Sequence, residues 1–183
     1  MPAASLLLAA RLPRPSQLEG LSLAVGVELR RTLASAGRIF LKWPNDLLTI
    51  TKQKIGGVLI EASHDFVIVG VGLNLLMTPQ LQTHVGRPLA GLNDILSVPW
   101  SRHEIAVRVA QSVQRAVQTF AAAGTAPFLA DAINAHIVPP GHDFSLTTED
   151  GTRRGMFTGF DNNGALLMRQ NGHLHRYWSG EIA

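Results

Sequence analysis

Between Arg38 and Leu75 the apolar runs are cut three times, at Pro44, at Thr51-Lys52-Gln53 and at His64-Asp65. This punctuation constrains the fold more than any bulk property. Each run is too short for an ordinary helix and long enough for a strand. The spacing predicts strands over 38–43, 47–51, 54–63 and 66–75. Pro44 stops the first, because proline has no N–H to give to a ladder. The last run, 66–75, is apolar at nearly every position, which predicts a central strand covered on both faces.

Other elements follow from local signals. Leu6 to Leu12 reads as a short apolar strand ended by Pro13 and Pro15. Ser16-Gln17-Leu18-Glu19 has capping-box form and predicts a helix to about Ala36. Its apolar face is Leu18, Leu21, Val25, Leu29 and Leu33, with Gly37 just past the end. Residues 78–99 hold three prolines and two glycines and read as a long loop with one helical turn. Ser101-Arg102-His103-Glu104 is a second capping box, opening a helix that ends near Gly124. Thr125-Ala126-Pro127 starts another. Pro139-Pro140-Gly141 then breaks the chain. Beyond it, short strands alternate with the turns Glu149-Asp150-Gly151, Asp161-Asn162-Asn163-Gly164 and Asn171-Gly172. That pattern predicts a small barrel-like module.

Composition sets outer bounds. A chain of 183 residues buries a real core and suits one domain, or one plus a small appendage. A hydrophobic fraction of 46% with 16% charged residues excludes a disordered chain. The net charge is only +3, and no Lys/Arg run exceeds a pair, which argues against a dedicated nucleic-acid surface. Without cysteine, disulfides, thiolate metal sites and a cysteine nucleophile are excluded. No apolar run approaches the ~20 residues of a membrane helix. The Leu6–Ala10 patch has no basic residue before it, so it reads as a buried strand rather than a signal peptide.

Three strings carry candidate chemistry. In Lys42-Trp43-Pro44-Asn45-Asp46, Pro44 holds the next two side chains at the mouth of the sheet. Asp46 suits magnesium, which takes one or two carboxylates plus phosphate oxygens. Asn45 suits a ribose or phosphate, or support of the loop. The plainer alternative is a turn beside a solvated lysine. In Lys54-Ile55-Gly56-Gly57, a glycine pair entering a strand weakens it, and close approach of a ligand to the backbone is one reason to keep it. A lysine just upstream places a compact charge on a phosphate or carboxylate. A β-bulge with a surface lysine is the competing reading. Gly70-Val71-Gly72-Leu73-Asn74 again places two glycines in a buried strand, which suggests close packing of a ligand, and an asparagine at its end suited to an adenine edge, a phosphate or a simple cap. It is not a dinucleotide fingerprint, since no helix follows. The seven histidines lack ligand spacing, and His173 and His175 read as a solvent-facing pair on one strand.

Taken together, in this order and spacing, the strings resemble the biotin–protein ligases (biotin–[acetyl-CoA-carboxylase] ligases). The matching residues are Lys42 to Asp46, Lys54-Ile55-Gly56-Gly57-Val58-Leu59-Ile60-Glu61 and Gly70 to Leu75. Gly159 to Leu167, with the closing Gly180-Glu181-Ile182, resembles the family's small C-terminal domain. The resemblance covers nearly the whole chain from Leu6. It implies an α+β core like that of class II aminoacyl-tRNA synthetases over 1–138, followed by an SH3-like β-barrel over 139–183. It implies a two-step reaction in which biotin and ATP give biotinyl-5′-AMP. A lysine of a biotin carboxyl carrier domain then takes the biotinyl group. The family's reactive lysine falls on Lys54. Lys54, Gly56 and Gly57 would bind biotin, Lys42, Asn45, Asp46 and Asn74 the nucleotide, and Asp46 Mg2+.

The family's Gly-Arg-Gly-Arg biotin loop belongs upstream of the Leu6 strand and occurs nowhere in this chain. The expectation is therefore a weak or inactive chain on its own, with a non-catalytic nucleotide- or carrier-binding module as the alternative. A lipoate ligase relative sharing the core fold is a further rival, against which the Lys42–Asp46 string argues. No winged-helix DNA-binding domain is expected, nor membrane association. A cytoplasmic location and a homodimer through exposed sheet edges complete the expectations.

Overall fold

The strands predicted from the Pro and turn punctuation assemble into one antiparallel sheet. In the computed structural model, which describes residues 5–33, 38–77, 88–97 and 99–183, the sheet comprises β1 (Ser5–Pro13), β2 (Phe40–Lys42), β3 (Asp46–Leu48), β4 (Lys54–Ala62) and β5 (Phe66–Asn74). Its order is β1-β5-β4-β3-β2. β1 and β5 pair along their full lengths, from Ser5 opposite Asn74 to Pro13 opposite Phe66. β3 ends earlier than its hydrophobic run suggests. Thr49 turns the chain there: its carbonyl accepts from Lys52 N–H at 3.0 Å and its hydroxyl from Gln53 N–H at 3.1 Å.

β5 lies inside the sheet, but it is not buried on both faces. Val67, Val69, Val71 and Leu73 are buried, while Phe66, Ile68, Gly70, Gly72 and Asn74 alternate with them and stay half-exposed. The apolar run misled because glycine and isoleucine on the outer face count as apolar in the sequence without being covered.

One face of the sheet is covered by helices α1 (Leu21–Leu33) and α3 (Arg102–Ala123), with α4 (Ala126–Ala135) beside α1. A short turn of helix, α2 (Leu92–Ile95), lies between. The remainder of the predicted 78–99 loop falls largely outside the described residues, as does Gly37. α1 is buried on most of its circumference, through Leu21, Leu23, Ala24, Val25, Val27, Leu29 and Leu33. A helix apolar nearly all round belongs between layers rather than on a surface.

α1 begins at Leu21, not at the Ser16 capping box. The Glu19 carboxylate instead accepts from Leu18 N–H at 3.1 Å. Its own and the Leu18 backbone N–H groups hold its pKa below the ordinary value. Gly20 decides the start. Its φ is +81°, and a Cβ there would press into the Thr125 methyl and lie 2.7 Å from the Asn163 carbonyl oxygen. The chain can pass between α4 and the 161–164 turn only as glycine. The second box behaves as predicted: Ser101 Oγ accepts from Glu104 N–H at 3.2 Å, and Glu104 Oε2 from Ser101 N–H at 2.8 Å. Those bonds favour the charged carboxylate and lower its pKa.

After Pro139-Pro140 come β6 (Asp143–Thr148), β7 (Gly151–Phe160), β8 (Leu166–Gln170), β9 (His173–Tyr177) and β10 (Glu181–Ile182). They form a second antiparallel sheet, ordered β10-β6-β7-β8-β9. All three predicted turn sequences fall between its strands. One continuous apolar cluster reaches from Leu6 through the helices to Phe157 and Ile182, so the two sheets share a core.

Candidate active site

The outer face of the first sheet is where the chemistry gathers. Cross-strand partners share a face, so the register can be read across the sheet. Lys42 lies opposite Asp46, Asp46 opposite Gly57, Gly57 opposite Gly72, and Gly72 opposite Leu7. One lateral row therefore runs from a charged edge, over two bare glycines, to an exposed leucine. The next row along pairs Leu59, Gly70 and Ala9. Leu7 and Leu59 are 84% and 60% exposed, while the preceding Leu6 and Val58 on the other face are 6% and 3% exposed.

Lys54 reaches this face by an irregularity. Leu47 is opposite Gly56 while Leu48 is opposite Lys54, so Ile55 has no partner on β3. This bulge adds one residue to β4. Without it, Lys54 and Gly57, three positions apart, would point to opposite faces. With it, Lys54 Nζ donates to Asp46 Oδ1 in a half-buried ion pair. The backbone of Lys54 is fixed three ways. Its N–H donates to the Pro88 carbonyl at 3.0 Å. Its carbonyl accepts from Ala90 N–H at 3.0 Å and from Asn74 Nδ2 at 3.1 Å.

The two glycines of the Gly-Gly pair have different jobs. Gly56 faces the packed side: a Cβ there would collide with the Gly72 carbonyl oxygen and lie 2.7 Å from Leu73 Cδ2. Strand packing alone accounts for it. Gly57 faces outward, where a Cβ would lie 3.0 Å from Asp46 Oδ1 and 3.6 Å from Lys54 Nζ, crowding the ion pair. Gly70 and Gly72 also face outward. A Cβ at either would meet only Leu59 at 3.6 Å or Leu7 at 3.4 Å, ordinary contact. Among the described residues nothing requires them to be bare, and close approach of a ligand is one physical use for them.

Of the remaining predicted residues, Asn45 holds the turn in place. Its Nδ2 donates to the Val58 carbonyl at 3.0 Å, and its own carbonyl accepts from Val58 N–H at 2.9 Å. Asn74 is spent on Lys54 as described. Lys42 Nζ donates to Glu181 Oε1 at 3.0 Å, tying the first sheet to β10. Lys42, Lys52, Lys54, Asp46 and Glu181 line one cavity of about 240 Å³, closed by Pro88, Val138 and Ile182. Three lysines against two side-chain carboxylates suit an anionic guest. Among the described residues no cluster of three or more His, Asp or Glu side chains could hold a metal unaided. A carboxylate or two facing lysines fits magnesium that arrives already ligated by phosphate oxygens.

Sequence reasoning missed Lys52, Pro88 and Glu181 as parts of this cavity. Gly70 and Gly72, whose spacing in the sequence pointed to a closely approaching ligand, fall in the site rows. Glu181 lies 139 positions from Lys42, so no local spacing could have joined them. His173 and His175 lie on β9, exposed and half-exposed, away from this site.

The fold is that of the biotin protein ligases. The structure matches the biotin protein ligase from Aquifex aeolicus in complex with biotin and ATP with a TM-score of 0.81, over 98% of this chain and 78% of that one, at 24% identity. The sequence agrees. The chain is 27% identical over 178 residues to the bifunctional ligase/repressor BirA of Escherichia coli (strain K12), covering 92% of this chain and 54% of the relative. It is 32% identical over 99 residues to the biotin–[acetyl-CoA-carboxylase] ligase of Mycobacterium tuberculosis, covering 51% and 36%. The chain is thus a homologue of the biotin protein ligases, and it spans about half the length of the curated relatives it matches. No protein-family model matches it.

Proposed function

We propose that this chain carries the ATP-dependent chemistry of a biotin–protein ligase. The observation that supports it best is the row of bare glycines beside the Lys54–Asp46 pair: an apolar strip of sheet face ending in mixed charge. Biotin would lie along Gly57, Gly70 and Gly72, with its carboxylate toward Lys54. That carboxylate oxygen attacks the α-phosphorus of ATP. The new P–O bond forms as the bond to pyrophosphate breaks, giving biotinyl-5′-AMP. A lysine amine of a biotin carboxyl carrier domain then attacks the acyl carbon, and AMP leaves.

Negative charge grows on the phosphoryl oxygens during the first step, and a fixed cation there stabilises it. Lys54 supplies that cation once it exchanges Asp46 for phosphate. Asp46, with Lys42, Lys52 and Glu181, faces the phosphates. Asn45 and Asn74 hold the turn and the Lys54 backbone on the nucleotide side. Asp46 would hold a Mg2+ ion that arrives with the phosphates, and the ion would supply further charge neutralisation there. Gly56 serves the sheet rather than the ligand. The same reading divides the chain into a core over 1–138, of the class II aminoacyl-tRNA synthetase type, and an SH3-like unit over 139–183. It also carries a cytoplasmic setting and association through sheet edges.

The test is biotin-dependent pyrophosphate release by this chain, followed by labelled biotin appearing on a carrier domain, with Lys54→Ala as control. Release abolished in the variant supports the reading. A folded chain that binds carrier domain and never releases pyrophosphate refutes catalysis and leaves a binding module.

A further inference from the structure

One buried histidine is unused by the chemistry above, and its bonds are unusually exacting. α4 ends at Ala135, and His136 is extended, with φ −66° and ψ 137°. Its backbone lies beside Leu41 of β2 in a parallel bridge, with Ile137 N–H donating to the Leu41 carbonyl at 2.8 Å. The imidazole is 3% exposed. One edge meets Val138: Nδ1 lies 2.8 Å from its carbonyl oxygen and 3.3 Å from its N–H, and the shorter contact places the proton on Nδ1. At the opposite edge Nε2 accepts from Trp43 N–H at 3.4 Å. The ring packs on Phe157 at 4.4 Å and meets Phe160 edge-on at 5.5 Å.

A site this apolar needs a donor on one side and an acceptor on the other. Only a neutral imidazole with its proton on Nδ1 provides both across one rigid ring. Lysine and arginine have no acceptor, and a doubly protonated ring would turn Nε2–H toward Trp43 N–H. What His136 holds is the first residue of the Trp43–Asp46 turn. Trp43 is also caught at its indole, whose Nε1–H donates to the Gly164 carbonyl at 3.2 Å. The far side of the turn is fixed by the two Asn45–Val58 bonds. Asp46, three residues on from Trp43, meets Lys54.

We propose that neutral His136 is a positioning residue: through Trp43 it sets the turn that presents Asp46 to the nucleotide phosphates. The inference rests on the nucleotide reading above. Of the ionisable groups on the neighbouring elements, Arg153 and Arg154 of β7 are exposed, and others are engaged elsewhere. Lys42 of β2 pairs with Glu181, Asp131 of α4 with Arg31, and His142 lies against the Pro140 carbonyl. Burial is what disfavours the charged ring, with the Val138 carbonyl opposing it.

Two measurements on the full chain test this. Long-range ¹H–¹⁵N correlation spectra of the histidines should show His136 protonated at Nδ1 and bare at Nε2 from pH 8 to below pH 5. A proton on Nε2, or titration near the ordinary value, overturns the proposal. Calorimetry with MgATP and, separately, biotin should show His136→Leu weakening MgATP about tenfold or more with biotin affinity kept. His136→Gln, which keeps an acceptor at the ring's far edge, should recover most of that loss. Equal weakening of both ligands marks a merely structural role and overturns the proposal. So does an unchanged MgATP affinity in His136→Leu when the wild-type chain binds well. If the wild-type chain binds no MgATP yet shows the expected tautomer, the nucleotide reading itself fails.

Discussion

The two faces of the first sheet obey opposite rules. The inner face is filled: Ile55, Val58, Val67, Val69, Val71 and Leu73 are buried against α1 and α3, and Gly56 is there because no side chain fits. The outer face is left bare: Gly57, Gly70 and Gly72 stand between exposed Leu7 and Leu59, with Lys54, Asp46 and Lys42 at one end. Each buried Val or Leu on the inner side contributes roughly 1.5–3 kcal/mol. The outer glycines contribute almost nothing to packing. The same strands thus carry stability on one side and recognition on the other, and the two sets of glycines should separate in experiment.

The largest effect is expected at Lys54. Lys54→Ala should lower the rate of biotin-dependent pyrophosphate release by about 100–1,000-fold, with an unchanged far-UV spectrum. A rate within a few-fold of wild type would remove Lys54 from the chemistry. Gly56→Ala comes next and strikes the inner face. Its Cβ meets a backbone carbonyl that cannot move aside, so urea unfolding should shift by about 3 kcal/mol. A shift below about 0.5 kcal/mol would mean the strands are not packed as described.

A comparable effect is expected from pH, acting where the two sheets meet. Burial lowers the His136 pKa from its ordinary 6.5 to about 4. Above pH 6.5 the ring is neutral folded and unfolded, and its contribution is constant. Between pH 6.5 and 4 the unfolded chain takes the proton and the folded chain does not, so stability falls by about 3 kcal/mol over that window. Below pH 4 both states are charged and this loss levels off. Urea titrations at pH 7 and pH 4.5 should show the decline in wild type and a smaller one in His136→Gln; equal declines would clear His136 of the effect.

Gly72→Ala sharpens the comparison from the outer side. Its Cβ has ordinary room, so stability should change by less than about 1 kcal/mol, while biotin affinity measured calorimetrically drops. Retained biotin affinity would mean the bare row is not where biotin lies. The smallest effect belongs to Lys42 and Glu181. The Glu181 side chain is 78% exposed, and such pairs are worth about 0–1 kcal/mol. Glu181→Ala should barely move the unfolding midpoint, and a change beyond about 1 kcal/mol would give β10 a larger structural role than its two residues suggest.

Much of this was legible in advance, and the failures share a cause. The strands around Pro44 and His64-Asp65 and the capping box at Ser101 rest on interactions within a few residues, so the sequence carries them. The α1 start was misplaced because Gly20 answers to Thr125 and Asn163, more than a hundred positions away. The coverage of β5 was misjudged because an apolar run shows hydrophobicity and not which face a helix reaches. His136 was passed over because a search for metal-ligand spacing does not register a histidine whose partners are Trp43 N–H and a carbonyl.

Within the site the division is similar. The residue types were set by the sequence: two lysines, a carboxylate, two amides and paired glycines at fixed spacing. Which of them share a face was decided by tertiary structure. The bulge at Ile55 turns Lys54 toward Asp46, the register of β4 on β5 lays Gly57 beside Gly72, and close packing turns Gly56 inward. Local spacing fixes chain direction and hydrogen-bonding capacity. Facing, register and burial depend on neighbours brought in from far along the chain, and only the folded molecule holds them together.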